Sequence, residues 1–240
     1  MTCKKSKTRQ HVMYLSYFGC PVPVYLFDGR YRPAGVPKGR SGYVISNKRT
    51  GTLEIWLNKR SSCTCWWRSF AAQTLRMLFL SSQEIQRELS KPEIDSIVDS
   101  LDFVFNDFLL GNSELLNNWN SLTDKKIRDI HLLGFTHKFY IQAKPPVKIK
   151  SKAIGLTIAP SENCLVLRSW ANPKFDLRMT KVIVAHEIIH MLCHMAFSNN
   201  PLTLKKEELI ANTLAYCLAE LFRSNSELLS IWGQDLSEGE

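Results

Sequence analysis

One stretch constrains the fold of this chain more than any other: residues 182–194, with the sequence VIVAHEIIHMLCH. Its many apolar residues predict an almost fully buried α-helix, and Asn172-Pro173 offers a start for it because proline suits the first helical position. His186 and His190 are four residues apart, a spacing that places both side chains on one face of a helix, about one turn apart. The two imidazoles can therefore bind one metal ion.

Glu187 adds a carboxylate beside the two histidines. A carboxylate there can take a proton from a water molecule that the metal activates, and the motif H-E-x-x-H is typical of zinc metallopeptidases for this reason. Catalytic zinc sites use three protein ligands, so a third is needed. A break at 199–201 ends the first helix, and Thr203 can cap a second one, which we expect to pack antiparallel to the first. This second helix offers Glu207 and Glu208.

The motif HEIIHMLCH, followed by ELIAN at residues 208–212, resembles the ImmA/IrrE-type zinc peptidases and related small metallopeptidases of phages and mobile elements. That family has the pattern H-E-x-x-H-x-x-x-H, then a short loop and a helix with E-x-x-A-N. The resemblance implies that His186, His190 and Glu208 bind zinc. It further implies that Glu187 is the general base.

Two residues near this motif leave alternatives open. Glu207 is the other candidate for the third ligand, one position earlier on the same helix. His194 matches the family's additional histidine, although an extra histidine on a largely buried helix is more often a hydrogen-bonded structural residue than a ligand. The resemblance also implies that the substrate is held as an added strand at an edge of a sheet, and the sequence leaves open which strand that is.

The helix around His186 has a counterpart 113 positions earlier in the chain. At this offset Gly42 pairs with Gly155, and Ala72 pairs with Ala185. Further apolar pairs at the same offset are Ile45 and Ile158, Leu75 and Ile188, Leu78 and Met191, Ile97 and Ile210, Leu101 and Leu214, and Phe108 and Leu221. The chain is therefore predicted to be a tandem duplication.

The first copy has lost its metal-binding side chains. The residues that stand there in place of His186, Glu187, His190 and Glu208 are, in the same order, Gln73, Thr74, Met77 and Asp95. Glutamine and methionine in place of the two imidazoles cannot form an ordinary zinc site. We therefore predict that only the second copy binds zinc and that the first copy is an inactive half.

The two copies predict an α+β fold of two related halves. Each half is expected to be a small, mainly antiparallel sheet packed on a helix pair, with a zincin-like helix in the second half. Residues 1–120 form the degenerate, basic half, and residues 121–240 form the half with the HEIIH motif. The polar segment 112–126 is the expected link between them.

Local signals give the elements of each half. In the first half we expect a β-hairpin with its turn at 49–51, a helix over 66–80, and a second helix from the Ser90 capping box to a stop at Gly111. In the second half, strands are expected in three segments ahead of the zinc helix: 127–143, 153–158 and 164–170.

The charge of the chain is uneven. The net charge is +9, and residues 1–60 hold twelve Lys or Arg but only two acidic residues, which gives this region +10. Such a region could neutralise several phosphates if folding brings its cations onto one face, so nucleic acid is a possible partner of the first half. The basic residues in question are Lys4, Lys5, Lys7, Arg9, Arg30, Arg32, Lys38, Arg40, Lys48 and Arg49.

Cysteine usage and hydropathy indicate a reduced, cytoplasmic protein. The seven cysteines are odd in number and lack framework spacing, and Cys63-Thr-Cys65 without a second pair is a weak metal signal. The basic N-terminus and the apolar run after it superficially resemble a secretory signal, but Gly19, Pro21 and Pro23 argue against export. No run of eighteen apolar residues is present, so no membrane-spanning helix is expected.

The sequence therefore predicts a zinc-dependent metallopeptidase that hydrolyses peptide bonds of a protein or peptide, with an inactive N-terminal half for substrate or partner binding. Four residues of the second half could stabilise the oxyanion, and the sequence does not rank them: His131, His137, Tyr140 and Arg168. The alternative is a non-catalytic zinc-containing protein that binds nucleic acid or a protein partner. A fourth protein ligand, such as His194, would favour that alternative.

Overall fold

The computed structural model describes residues 10–27, 41–46, 52–58, 63–122, 127–144, 154–158, 167–173, 176–230 and 232. The first half contains β1 (Gln10–Tyr17), β2 (Cys20–Phe27), β3 (Gly42–Ser46), β4 (Leu53–Asn58), α1 (Cys63–Ser81), α2 (Gln83–Glu88), α3 (Lys91–Gly111), α4 (Ser113–Asn117) and a 3-10 turn, Trp119–Ser121. The second contains β5 (Ile127–Leu132), β6 (Phe135–Ile141), β7 (Gly155–Ile158), β8 (Arg168–Ala171), α5 (Leu177–Ala196), α6 (Leu204–Ser224) and α7 (Ser226–Ser230). The chain is α+β, as predicted.

Both sheets have the same strand order, β1-β2-β4-β3 in the first half and β5-β6-β8-β7 in the second. In each sheet the first two strands form an antiparallel hairpin, the next pairing is parallel, and the last is antiparallel. The sheets are therefore mixed, with two antiparallel pairings to one parallel. The parallel pairing arises because the fourth strand of each half inserts between the second and third.

The hairpin that opens each sheet turns in the same way. Phe18 and Gly19 have φ of 48° and 74°, and Leu133 and Gly134 have φ of 50° and 79°. Two consecutive residues with positive φ are the requirement of the type I′ turn, whose twist matches that of the flanking strands. These two turns are separated by 115 residues and therefore do not align at the repeat offset of 113.

Helix caps explain where the main helices begin. The side-chain oxygens of Ser90 and Thr203 accept hydrogen bonds from backbone N–H groups of the first turns of α3 and α6, and both caps were predicted. The expected start of α5 at Asn172-Pro173 is wrong. The Asn172 N–H donates to Ile154 O at 2.8 Å, which keeps this segment with the sheet, and Asp176 caps α5 instead.

The two halves are held together by matching asparagines at the ends of their long helices. Asn112, after α3, accepts a hydrogen bond from the His131 N–H (2.9 Å) and donates one to the His131 carbonyl (2.6 Å) on β5. Asn225, after α6, makes the same two bonds, both 2.8 Å long, with Ser16 on β1. Each half thus binds the first strand of the other, and one hydrophobic core extends through both.

A third contact lies where the long helices begin. Lys206 Nζ donates to Glu93 Oε1 at 2.7 Å, and these two residues are separated by the repeat offset of 113. A residue that contacts its own counterpart is what a two-fold arrangement of equivalent units produces near its axis. The halves are therefore related by a pseudo-two-fold axis that passes near this ion pair. The division of the chain into two separate domains at residue 120 stays a prediction.

The expected polar link is packed rather than free over residues 112–122. This segment contains α4 and the 3-10 turn, and its apolar residues Leu115, Leu116 and Trp119 are buried. The Trp119 indole N–H donates to the Ala219 carbonyl at 3.1 Å. A few large apolar side chains are thus enough to bury part of this otherwise polar link, and its role as the connection between two domains stays a prediction. Residues 123–126 lie outside the described residues.

Some predictions concern residues outside the described part of the chain. They include the ten basic residues considered for nucleic-acid binding, the turn at 49–51, and the side chains of Cys63 and Cys65. Of the cysteines that are described, Cys20, Cys193 and Cys217 are free thiols. None of the described helices combines the length and apolar character that crossing a membrane requires.

Candidate metal centre

The centre is built by the antiparallel helices α5 and α6. His190 lies beside Glu207 near the start of α6, and Arg178, three turns earlier on α5, lies over the ring of Tyr216 farther along α6. The order of contacts therefore runs in opposite directions along the two helices, as predicted. α5 is buried along most of its length, so its two histidines project from a rigid, packed helix toward the first turns of α6.

Three side chains converge to form a possible metal site: His186, His190 and Glu208. The two Nε2 atoms are 3.0 Å apart, and the Glu208 carboxylate oxygens lie 3.9 Å from His186 Nε2 and 3.6 Å from His190 Nε2. Ligand atoms about 2.05 Å from a tetrahedral zinc are about 3.3 Å from one another. The observed separations bracket that value, so the three residues fit a metal ion with only small side-chain movements.

Glu207 and Glu208 have different roles in this arrangement. Glu207 Oε1 lies 2.6 Å from His190 Nδ1, on the side of the ring away from Glu208. A carboxylate in that position accepts the Nδ1 proton and leaves the Nε2 lone pair available for a metal. The backbone of Ala211 partly offsets the effect of burial on the pKa of His186. The geometry thus favours Glu208 as the ligand and Glu207 as the residue that orients His190.

The electrostatics of the two histidines differ. Burial and the neighbouring His190 lower the pKa of His186 below its ordinary 6.5. Burial also lowers the pKa of His190, but the hydrogen bond with Glu207 and the carboxylates around it outweigh burial and raise the pKa overall. The carboxylates around His190 therefore make the electrostatic potential there negative, which favours a bound cation.

Glu187 is buried, with 3% of its surface exposed, and it points at strand β7. Its Oε2 accepts a hydrogen bond of 2.7 Å from the Thr157 hydroxyl. Burial raises its pKa from 4.5 to about 7, against the Thr157 bond, which lowers it. A Cβ atom at Gly155 would overlap the Glu187 Oε1 atom. Glycine at this position therefore lets the strand and the carboxylate lie side by side.

The strand that contacts Glu187 is an edge strand. β7 is last in the order of its sheet, and among the described strands it pairs only with β8. Next to it, a cavity of about 390 Å³ lies between β7, the first half of α5 and the facing side of α6. His186, Glu187 and Glu208 line one end of the cavity, and Asn212 donates to Glu208 at 3.4 Å.

The other residues singled out in the sequence lie elsewhere. His194 is exposed and is not one of the three converging residues. His137 is fully buried and its Nδ1 accepts from the Leu167 N–H, while His131 contacts Thr136 on the neighbouring strand. Neither of these histidines, nor Tyr140 or Arg168, is among the described residues that line the cavity.

The counterpart of this site in the first half has a different set of contacts. Gln73, Thr74 and Met77 are all buried, with at most 4% of their surface exposed. Arg76 lies 3.2 Å from both Asp95 and Asp99, so carboxylates on α3 are paired with a protein cation. In the part of the chain that the structure describes, no metal-binding group occurs at this position.

Three residues at the centre were not found by reasoning from the sequence: Thr157, Gly155 and Asn212. Thr157 is far from Glu187 in the chain, and no motif links them. Gly155 did carry a signal, because it pairs with Gly42 at the repeat offset, and a glycine retained in two copies of a strand indicates a close approach. Asn212 was noted only as part of the family resemblance.

No protein-family model matches this chain, and the searches of curated proteins and of solved structures gave no match either. The fold and the site thus define an α+β protein of two similar halves with a candidate metal centre in the second.

Proposed function

We propose that this protein is a zinc-dependent metallopeptidase whose active site is the centre on α5 and α6. The observation that carries the proposal is the convergence of His186, His190 and Glu208 around one point, with the buried carboxylate of Glu187 beside them. Two imidazoles and one carboxylate are a ligand set that catalytic zinc sites use. The zincin-like character of α5 and a cytoplasmic location belong to this proposal.

When bound, zinc would lower the pKa of a water molecule and polarise the carbonyl of the peptide bond. Glu187 would take the proton from the attacking water and then deliver it to the leaving nitrogen. The Thr157 hydroxyl donates to Glu187 Oε2 at 2.7 Å. This bond fixes the orientation of the carboxylate, so the position of its other oxygen, Oε1, is fixed as well. Glu187 thus has the buried, fixed position that a general base needs.

The number of ligands separates the two functional classes. Structural zinc sites have four protein ligands, and catalytic ones have three and an open position. Among the described residues, the converging group has three members, and His194 is not one of them. We therefore favour catalysis over the alternative of a non-catalytic zinc protein. The first half would be inactive, because its equivalent position lacks ligands, and we propose that it binds a substrate or partner instead.

The test of the proposal is Glu187→Gln, compared with Glu114→Gln at an exposed position on α4. We expect Glu187→Gln to keep zinc and the fold while peptide hydrolysis falls at least ~100-fold, because the amide cannot accept a proton. Glu114→Gln should behave like the wild type. Because a specific peptidase can ignore general substrates, the assay uses a cell lysate with mass spectrometry of new peptide termini.

One outcome of this experiment would reject the proposal that the protein is an enzyme. If the folded, zinc-loaded wild type produces no cleavages that are absent from Glu187→Gln, the protein is not a peptidase. A non-catalytic zinc protein needs its ligands but has no use for a proton acceptor beside them, so its biological effect would survive Glu187→Gln and be lost in His186→Ala.

A further inference from the structure

The residues that line the cavity beside the candidate centre form a polar and an apolar set. The two sets lie toward opposite ends, because α5 and α6 are antiparallel: His186 faces Glu208 at one level, and Arg178 lies over Tyr216 about two turns away. The polar end of the cavity is formed by His186, Glu187, Glu208 and Asn212. Its other end is formed by apolar side chains, and the residues that line it there are Ile154, Met179, Val182, Ile183 and Ala215. The cavity volume of about 390 Å³ is within the range of roughly 300–1,000 Å³ that is usual for ligand sites.

Two of the large apolar residues that line this cavity are exposed. Ile154 is 45% exposed and Met179 is 39% exposed. Large apolar side chains grouped at the mouth of a cavity are not needed for the packing of the core. Such a group is typical of a site that binds an apolar partner.

The described residues at the apolar end offer no charged group to pair with a charged ligand. Of the described residues that line the cavity, none is Lys or Arg, and the two acidic ones, Glu187 and Glu208, lie at the metal end. Arg178 is directed away, over the ring of Tyr216 at 5.5 Å. A charged side chain placed in the apolar end would lose its hydration without a partner, which is strongly unfavourable.

The edge strand supplies the remaining element. β7 runs along the cavity, with Gly155 in its lining and Thr157 bonded to Glu187. An extended peptide that pairs with an exposed strand edge directs alternate side chains toward the adjacent surface. A peptide on β7 would thus bring one side chain to the apolar end while its backbone passes Glu187.

We propose that this cavity selects substrates with a bulky aliphatic or aromatic side chain next to the bond that is cut. The apolar end accepts that side chain, and β7 aligns the backbone. Val182 is the main determinant of size, because it lies one turn before His186 on the same face of α5 and lines the cavity. This inference rests on the proposed peptidase function and adds the chemical class of its substrate.

The test is a set of peptides that differ only at the residue next to the cleaved bond, which carries Leu, Phe, Ala, Asp or Lys. The parent peptide is one found in the lysate experiment. We expect kcat/KM to be about 10- to 100-fold higher for Leu and Phe than for Ala, since burial of the larger apolar side chain stabilises the bound substrate. The Asp and Lys peptides should be cut more slowly still.

The variant Val182→Phe fills the apolar end and should reduce the preference for Leu over Ala at least ~10-fold. A loss of stability alone would lower the rates for all peptides together and leave this ratio unchanged. The control is Leu110→Phe, at an exposed apolar position on α3, which should keep the ratio of the wild type. Cleavage without side-chain preference, or a ratio that Val182→Phe does not change, overturns the inference and leaves the peptidase proposal standing.

Peptide binding to zinc-loaded Glu187→Gln distinguishes a failure of the peptidase proposal from a failure of the substrate inference. The affinities of this variant for two fluorescent peptides, one with Leu and one with Asp at the variable position, are measured by fluorescence anisotropy. If the lysate yields no substrate, the variable residue is placed in a polyalanine peptide. Selective binding of the Leu peptide without any cleavage by the wild type would support the apolar site and reject the peptidase. Neither cleavage nor selective binding would reject both.

Discussion

The two halves have nearly the same arrangement of helices and strands, but the carboxylates at their equivalent sites have different partners. α3 and α6, and likewise α4 and α7, begin and end at positions 113 residues apart, and the two sheets share one strand order. In the first half Asp95 is paired with Arg76. In the second half Glu208, its counterpart, has no Lys or Arg partner within the described residues and faces two histidines.

This difference teaches which part of the sequence decides the fold and which decides the site. The positions of His186 and His190 hold buried Gln73 and Met77 in the first half, and a long helix forms in both halves. A carboxylate at the same point must then be neutralised in another way, and in the first half Arg76 does so at the position of Ile189. A carboxylate left without a protein cation beside imidazoles is suited to a metal ion.

The largest effect is expected from a matched pair of substitutions, Gly155→Ala and Gly42→Ala. A Cβ at Gly155 overlaps the flexible end of Glu187 and comes within 3.0 Å of Ile183 Cγ2, so the carboxylate must move and some stability is also lost. We expect peptide hydrolysis to fall at least ~100-fold with zinc retained. A Cβ at Gly42 instead meets Trp56 O and Leu57 Cδ2, each at 3.0 Å, and should reduce stability by about 1–3 kcal/mol without changing the activity of folded protein.

Urea unfolding and zinc-loaded activity assays measure these two effects. Equal losses of activity in the two variants would show that Gly155 is needed only for folding.

The second prediction concerns the framework, where the halves should behave alike. Asn112→Ala and Asn225→Ala each remove the two bonds to the opposite strand, together with one to Phe108 O or Leu221 O. Because buried backbone groups then lose their partners, we expect each to reduce the free energy of unfolding by about 2–4 kcal/mol. Asn118→Ala, which removes one exposed bond to Glu114 O, should change it by less than about 1 kcal/mol. A strongly unequal loss for Asn112 and Asn225 would contradict the pseudo-two-fold arrangement.

The smallest effect is expected on thermal stability, from a substitution at the ion pair between the two halves. The hydrogen bond from Lys206 lowers the pKa of Glu93 from 4.5 to about 2, with help from Ser90. A depressed carboxyl pKa stabilises the folded chain above pH 4.5, and this stabilisation is lost as the pH falls toward 2. Lys206→Met should therefore lower Tm slightly at pH 6, by an amount that shrinks as the pH is reduced.

The control is Lys205→Met, whose ammonium group is 4.0 Å from Glu88 and largely exposed. Its effect on Tm should be small and should not depend on pH. A Lys206→Met effect that is the same at pH 3 and pH 6 would mean that the ion pair does not join the halves in solution.

Much of the candidate site was predictable from the sequence because its candidate ligands lie on helices with regular spacing. The i, i+4 pair of His186 and His190 and the cap at Thr203 place the ligands without knowledge of the sheet. The partners of Glu187 were not predictable, since Thr157 reaches it only through the pairing of β7 with β8. For the same reason, the parallel pairings were missed: the sequence pattern indicates a strand but not which strand lies beside it.

The choice between Glu207 and Glu208 as the third candidate ligand shows a similar limit. Glu207 and Glu208 are adjacent, and helical periodicity alone does not decide which one faces the histidines. The structure separates them because Glu207 contacts Nδ1 of His190 while Glu208 faces Nε2. The start of α5 was missed because Pro173 resembles a helix start, and only the backbone bond from Asn172 to Ile154 shows that the strand segment continues.

The central claim is that the two halves differ in metal binding although they share a framework. The most direct measurement is the zinc content of the purified chain, by elemental analysis after dialysis against metal-free buffer. The account predicts close to one zinc ion per wild-type chain and none in the double variant His186→Ala, His190→Ala, which should remain folded by circular dichroism. Two tightly bound ions per chain, or zinc retained by the folded double variant, would contradict it.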